Sequence, residues 1–332
     1  MIKDLKKALK NKKILVICPK YFGYEEKIVN RLIELGAIVS YIDERPANST
    51  LGKIFIRLFP FSYRIQIDSY YNKKIKEMML CNIILVINPE CLSLNILYRI
   101  KEVTKASKYI LYMWDSFLNK KHTKKIIPFF DKILTFDPTD ADELNIVFRP
   151  LFFPSNNGNK NIQPKDIDIS FIGTGHSDRP KILNLLKEQY KNHASKKIFF
   201  YLYLQTPLIY YFNKLINSNF KKIHKDMFHF LPMPYDEYEQ ITEASIAVID
   251  IEHPAQKGLT IRTLEMLGKE IKLITTNSNI KRYDFYNESN ILIIDRMNPV
   301  IDTDFINRNY QPLSADLYYK YSIDGWLEDI VS

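Results

Sequence analysis

Short apolar runs of strand length recur along this chain, and each is followed by a loop and then a helical pattern. In the first half they are Lys13–Cys18, Ala37–Ile42, Cys81–Ile87, Lys108–Met113 and Asp131–Phe136. In the second half they are residues 168–172, Lys197–Tyr203, Ala247–Ile251, Lys272–Thr276 and Asn290–Asp295. The runs are rich in Ile, Val and Leu without alternation, as strands buried on both faces of a parallel sheet must be. Strand and helix alternating in this order predict an α/β fold built from βαβ units. The polar segment Ser155–Asn161, SNNGNKN, divides the two series and reads as a linker. A chain of 332 residues with 46% hydrophobic content has enough apolar material for two cores.

Chemistry concentrates in Asp250–Asn277, which reads as strand, loop, helix, strand. The loop His253-Pro-Ala-Gln256-Lys257-Gly258 breaks regular structure, since Pro254 lacks an amide donor and Gly258 tolerates unusual backbone angles. Thr260 can cap the helix that follows, and Gly268 is expected to end it. Arg262 falls in the first helical turn, where free amides and the helix dipole favour an anion. Glu265 lies three residues on, on roughly the same face, where a carboxylate can accept hydrogen bonds from ribose hydroxyls. A second glycine-bearing strand end, Gly173-Thr-Gly175 with Arg179 after it, offers backbone and cation to a phosphate or sugar. Gly173, Gly175, Arg179, Gln256, Lys257, Gly258, Thr260, Arg262 and Glu265 are therefore the candidate nucleotide-diphosphate site. An amphipathic helix with a solvent-facing Arg and Glu would give the same spacing.

The order Gly258-Leu-Thr-Ile-Arg262-Thr-Leu-Glu265 resembles the donor-binding motif of GT-B glycosyltransferases, closest to the spore-maturation-type branch and related lipopolysaccharide and capsule enzymes. Phe171, Gly173 and Arg179 match a pattern of the same branch. So do Asp131, Phe136, Asp137 and Pro150-Leu151, within FDKILTFDPTDADELNIVFRPLFF. The resemblance implies two Rossmann-like domains facing a cleft: residues 1–154 for the acceptor and residues 165–312 for the nucleotide-sugar donor. A helical tail, residues 313–332, would pack back on the first domain. The implied activity is transfer of a sugar, UDP-linked, to a glycan or lipid-linked acceptor of bacterial surface polysaccharide. Pyruvyl or glycerol-phosphate transfer on the same scaffold is the alternative, and a non-catalytic nucleic-acid-binding protein is the rival from another class.

An inverting transfer needs a base for the acceptor hydroxyl. Asp115, after the strand Lys108–Met113, is the first candidate, with a helix cap as its plain alternative; Glu25 is the second. No cofactor is expected. Six histidines show no ligand spacing, and the pairs Asp166/Asp168 and Asp302/Asp304 read as solvated turns, so metal is not expected. Arg179, Lys257 and Arg262 would then offset the leaving diphosphate.

The formal net charge of +9 suits an anionic partner, whether nucleotide-sugar, membrane surface or nucleic acid. Residues 1–11 read as a basic amphipathic helix, either packed on the domain or lying on a membrane. Residues 47–78 interleave aromatic and basic side chains, from Lys53 and Phe55 to Tyr63 and Arg64. That pattern fits single-stranded nucleic acid or lipid, or a helical excursion of the first domain. Cys18, Cys81 and Cys91 make neither a CxxC pair nor a metal spacing. No signal-peptide pattern or spanning stretch is present, so the expected location is cytoplasmic, with a peripheral site on the inner face of the membrane.

Overall fold

The computed structural model describes residues 2–46, 60–154, 164–190, 197–254 and 256–332, with no account of the side chains of residues 60–63. The chain forms two compact units, residues 1–151 with 322–332 and residues 152–321.

Unit 1 holds β1 (Lys13–Cys18), β2 (Ile38–Asp43), β3 (Ile83–Ile87), β4 (Lys108–Met113), β5 (Lys132–Thr135) and β6 (Val147–Phe148). They form one parallel sheet in the order β2-β1-β3-β4-β5-β6. Every residue of β3 is buried, as the unbroken IILVI run requires. The core gathers Leu15, Ile17, Ile84, Val86, Leu111 and Met113 from the strands. Helices supply Ile96, Leu97, Ile100 and Tyr71. Tyr71 belongs to the helix Pro60–Lys76, so that part of the aromatic, basic stretch is a helical excursion with one buried side. Lys53, Phe55 and the rest of residues 47–59 lie outside the described residues. The first helix, Ile2–Leu9, buries Leu5 and Leu9 in this unit, so the apolar face a membrane role would need is already used.

Unit 2 holds β7 (Ile167–Thr174), β8 (Ile198–Tyr203), β9 (Phe228–His229), β10 (Ser245–Asp250), β11 (Lys272–Thr275) and β12 (Ile291–Ile293). The order β9-β8-β7-β10-β11-β12 is again all parallel. Counted within the unit this is 3-2-1-4-5-6, with β7 and β10 adjacent at the point where the chain changes direction across the sheet. In open sheets of this order, ligands bind at the carboxyl ends of the strands beside such a switch.

The tail expected as one piece divides. The helix Ala315–Tyr321 stays in unit 2, where Tyr318 Oη donates to Gly268 O at 3.3 Å and Tyr321 Oη to Asp284 at 2.6 Å. Only the helix Ile323–Val331 belongs to unit 1. Its Asp324 receives two hydrogen bonds from Arg31, Nε at 2.6 Å and Nη2 at 2.8 Å, while Trp326 is fully buried edge-on to Tyr112. Phe152 and Phe153 fall in unit 2, not at the end of the first domain: Phe153 N–H donates to Tyr321 O at 3.0 Å, and its ring packs on Tyr318.

Gly268 does not end its helix, which runs Ile261–Lys269 and closes at Glu270 in the left-handed conformation, φ 55. A Cβ on Gly268 would stand 2.4 Å from Phe153 Cγ, so the glycine is there to admit that ring. Among the described residues no helix is long and apolar enough to cross a membrane.

Candidate functional site

The site in unit 2 is built on the carboxyl ends of β7 and β10. Thr260 caps the helix Ile261–Lys269: its Oγ1 accepts Thr263 N–H at 3.3 Å and donates to Asp250 Oδ2 at 2.6 Å. Thr263 Oγ1 donates to the same oxygen at 2.8 Å. Asp250, the last residue of β10 and fully enclosed, thus fixes the start of the helix that carries Arg262.

Arg262 turns back across the strand ends. Its Nη2 donates to Ile172 O, its Nη1 lies 3.9 Å from Asp250 Oδ1, and its guanidinium covers the Phe171 ring at 5.3 Å. Its Nε is buried and, among the described residues, has no hydrogen-bond partner. Arg179, at the start of the helix Arg179–Tyr190, reaches the same ring at 5.8 Å. Its Nε donates to Ile251 O at 2.8 Å and its Nη1 to Thr174 O at 3.2 Å. Two guanidiniums therefore share one aromatic ring; their hydrogen bonds go mainly to backbone carbonyls, which cancel no net charge, and the Asp250 carboxylate, already taken by two hydroxyls, faces Arg262 only from 3.9 Å. Burial, and then the neighbouring Arg262, pull the Arg179 pKa down to about 10. His176 is pushed down to about 4, by burial first and then by Arg179 and His253, and its ring centre lies 6.2 Å from that of His253. Arg296 completes the cluster: it contacts Asp178 and the Glu252 carboxylate, each at 3.1 Å, and donates to Glu252 O at 2.5 Å.

Glu265 sits one turn beyond Arg262, half-buried, and accepts the Tyr238 hydroxyl at 3.0 Å. Burial and the adjacent Glu265 raise the Tyr238 pKa, so the phenol stays a donor and holds the carboxylate in one orientation. The loop before the helix closes on itself: Gln256 N–H donates to His253 O at 2.8 Å and Gln256 Nε2 to Gly258 O at 3.0 Å. Lys257 is exposed, and its carbonyl accepts Asn277 Nδ2 at 3.4 Å.

The two glycines are required for different reasons than phosphate approach alone. A Cβ on Gly173 would meet Phe171 Cζ at 3.1 Å and Arg262 Nη2 at 3.4 Å. One on Gly175 would lie 2.8 Å from Phe228 Cε1, and the Gly175 amide is committed to Tyr203 O at 2.8 Å. Gly173, Arg179 and Arg262 are thus brought into one cluster, with Thr260 tied to it through Asp250. Sequence reading missed His176, Asp250 and Arg296. Arg296, just past β12, carried the one available signal, a charged residue beyond a strand's carboxyl end. Phe171 stood in the pattern Phe171-Gly173-Arg179, but without a role for its ring.

In unit 1, Asp115 follows β4 and its Oδ1 accepts Ser116 N–H and Asn119 Nδ2, each at 2.9 Å, as a turn cap does. Glu25 is buried in the first turn of the helix Tyr24–Glu34 and accepts Tyr21 N–H at 2.9 Å. Gly23, at φ 75, makes that tight entry into the helix. Tyr21 lies on Trp114 with ring centres 5.5 Å apart, which joins the carboxyl ends of β1 and β4. Among the described residues no cluster of three His, Cys, Asp or Glu side chains is placed to hold a metal.

No protein-family model matches the chain, and no curated protein does. Solved structures do. OtsA in its apo form is 10% identical, with a TM-score of 0.60, over 96% of this chain and 98% of that one. Anabaena Alr3699/HepE, solved with UDP and glucose, is 9% identical, with a TM-score of 0.55, over 96% and 99%. Thermosynechococcus elongatus sucrose-phosphate synthase is 11% identical, with a TM-score of 0.50, over 97% and 95%. The chain spans 65% of the length of a Thermobaculum terrenum O-GlcNAc transferase mutant, at a TM-score of 0.48. At such identities the likeness is one of architecture, and the architecture is that of the GT-B glycosyltransferases, two parallel α/β units in one chain.

Proposed function

We propose that this chain is a glycosyltransferase that moves a sugar from a nucleotide-sugar donor to a glycan or lipid-linked acceptor. The observation that carries the reading is the arginine pair, Arg179 and Arg262, over the Phe171 ring at the switch between β7 and β10. Two cations held side by side, mainly on carbonyls and with one carboxylate, Asp250, 3.9 Å from Arg262, leave positive charge for a polyanion, and a diphosphate is the leaving group of such a donor. Arg179, Arg262 and Lys257 would offset its charge, with no divalent metal needed, and Glu265 would accept the ribose hydroxyls. A UDP-linked donor is favoured by HepE, which has this fold and was solved with UDP and glucose. Work on bacterial surface polysaccharide rests on the motif Gly258 to Glu265. In an inverting transfer a base takes the acceptor proton, the freed oxygen attacks the anomeric carbon, and the bond to diphosphate breaks. Asp115 is the proposed base, with Glu25 second.

The test is thermal unfolding with UDP, GDP, CMP and their sugars, with and without EDTA, since a ligand that binds the native state raises the midpoint. UDP or UDP-sugar is expected to stabilise the protein in EDTA. If no nucleotide shifts the midpoint, the proposal fails; if a shift needs added Mg²⁺ or Mn²⁺, the metal-free part fails.

A further inference from the structure

The helix Pro207–Ile216 carries apolar side chains on two opposite sides. The inner side is accounted for. Tyr210 is buried, its ring lies 5.3 Å from that of Phe228, and its hydroxyl donates to Ile223 O at 3.0 Å. The outer side is not. Leu208 is 78% exposed and Leu215 81%, and Tyr211, Phe212 and Ile216 are each more than half exposed. Positions 208, 211, 212, 215 and 216 follow the three-and-four spacing of one helix face. None of them carries a charge. An apolar face of this kind, left in water, marks a surface that meets something else.

The rim identifies the occupant. From Leu204 to Leu231 the sequence has four lysines, Lys214, Lys221, Lys222 and Lys225, against the single acid Asp226. All four lysines are exposed. Lys225 Nζ stands 5.5 Å from the Tyr211 ring and 5.8 Å from the Phe230 ring, so cation and apolar face are contiguous. A second copy of the chain docking face to face would bring lysine rims together, and like charges oppose that. Nucleic acid could stack bases on Tyr211 and Phe212, but it would leave Leu208, Leu215 and Ile216, the three most exposed side chains of the face, without an apolar partner. An anionic bilayer satisfies both parts, since acyl chains take the apolar face and headgroups the lysines.

We infer that the helix Pro207–Ile216, with its lysine rim, is an interfacial anchor that docks unit 2 on an anionic lipid surface. The inference does not depend on the transferase reading. The first helix, which the sequence left open between packing on the domain and lying on a membrane, has Leu5 and Leu9 buried, so this later helix is the one with an apolar face to offer.

The test is vesicle co-sedimentation of the full chain, using phosphatidylcholine with and without phosphatidylglycerol. Wild type is expected to sediment with the anionic vesicles, less so as salt rises. The Phe212→Glu/Leu215→Glu variant should lose at least about tenfold in affinity, because it places charge where acyl chains would sit. These positions are exposed, so the variant should keep the wild-type melting point and nucleotide response, which separates this result from a failure of the donor site. The proposal is overturned if wild type ignores anionic vesicles at low salt. It is equally overturned if the variant binds them as well as wild type, because net charge alone would then explain binding. Light scattering that shows a dimer dispersed by the same substitutions would give the face to a second copy instead.

Discussion

Glu265 is held by Tyr238 beside the arginine pair, and its removal should cost binding without cost to the fold. The residue is half-buried on an intact helix, so Glu265→Ala leaves packing largely in place. Losing a charged acceptor costs about 1.5–3 kcal/mol, or roughly ten- to a hundredfold in UDP affinity by calorimetry. Unchanged affinity would remove the ribose role. Asp115 makes the opposite kind of prediction. A base contributes typically about 10²–10⁴-fold, so Asp115→Asn should cut kcat by about that much and leave donor affinity alone. Its two hydrogen bonds to Ser116 and Asn119 are what a cap makes, and Asn caps nearly as well. A fully active Asp115→Asn enzyme would leave Asp115 a cap and move the base to Glu25. Arg262 and Glu265 could be read from sequence because a helix start after a buried strand has a fixed chemistry. That two cations cover the Phe171 ring could not be, since the pattern that contains Phe171 does not say which side chains its ring meets.

At the scale of elements, two glycine and loop features decide stability. Gly268→Ala removes a helix-interior glycine worth about 1 kcal/mol of propensity. The new Cβ would stand 2.4 Å from Phe153 Cγ, in a ring already buried against Tyr318, and overpacking costs about 1–3 kcal/mol. Net destabilisation by urea unfolding is expected; a gain would mean Phe153 moves freely. From sequence alone Gly268 resembled a terminator, because the ring it accommodates lies more than a hundred residues earlier. Glu44, just past β2, is a second case. It is fully buried, and its Oε1 accepts the amides of Glu90 at 2.8 Å and Leu92 at 3.1 Å, and that of Cys91 between them. Burial raises its pKa from 4.5 to about 8 even though the amides pull it down. The native state therefore holds a proton that the unfolded chain releases. That stabilisation is complete below 4.5 and is lost as pH rises through about 8. The melting temperature should fall between those values in wild type and stay flatter in Glu44→Gln. Equal slopes would mean that Glu44 is ionised in the fold.

The two units were legible as two strand–helix series, since buried parallel strands announce themselves as unbroken apolar runs. Where the chain passes between them was not. Phe152-Phe153 and the helix Ala315–Tyr321 are apolar enough for either core, and only their partners, Gly268, Tyr318 and Asp284, assign them. The terminal helix Ile323–Val331 is held in unit 1 by the Arg31–Asp324 pair, whose Asp324 side chain is only 5% exposed. Both hydrogen bonds of the pair strengthen the guanidinium's hold on its proton and raise the Arg31 pKa. Asp324→Ala leaves Arg31 half-enclosed without its main partner, which should cost about 2–3 kcal/mol. Both tryptophans of the chain, Trp114 and Trp326, lie in unit 1, so their fluorescence follows that unit alone. Every residue of the proposed donor site lies in unit 2, so UDP affinity is expected to follow the other. The expected outcome is a lower fluorescence midpoint in urea, with the unfolding free energy from that transition reduced by that amount, and UDP affinity in the absence of urea as in wild type. An unchanged midpoint would make the pair a surface contact of little value. A matching loss of UDP affinity would mean that the terminal helix supports the donor site as well as unit 1.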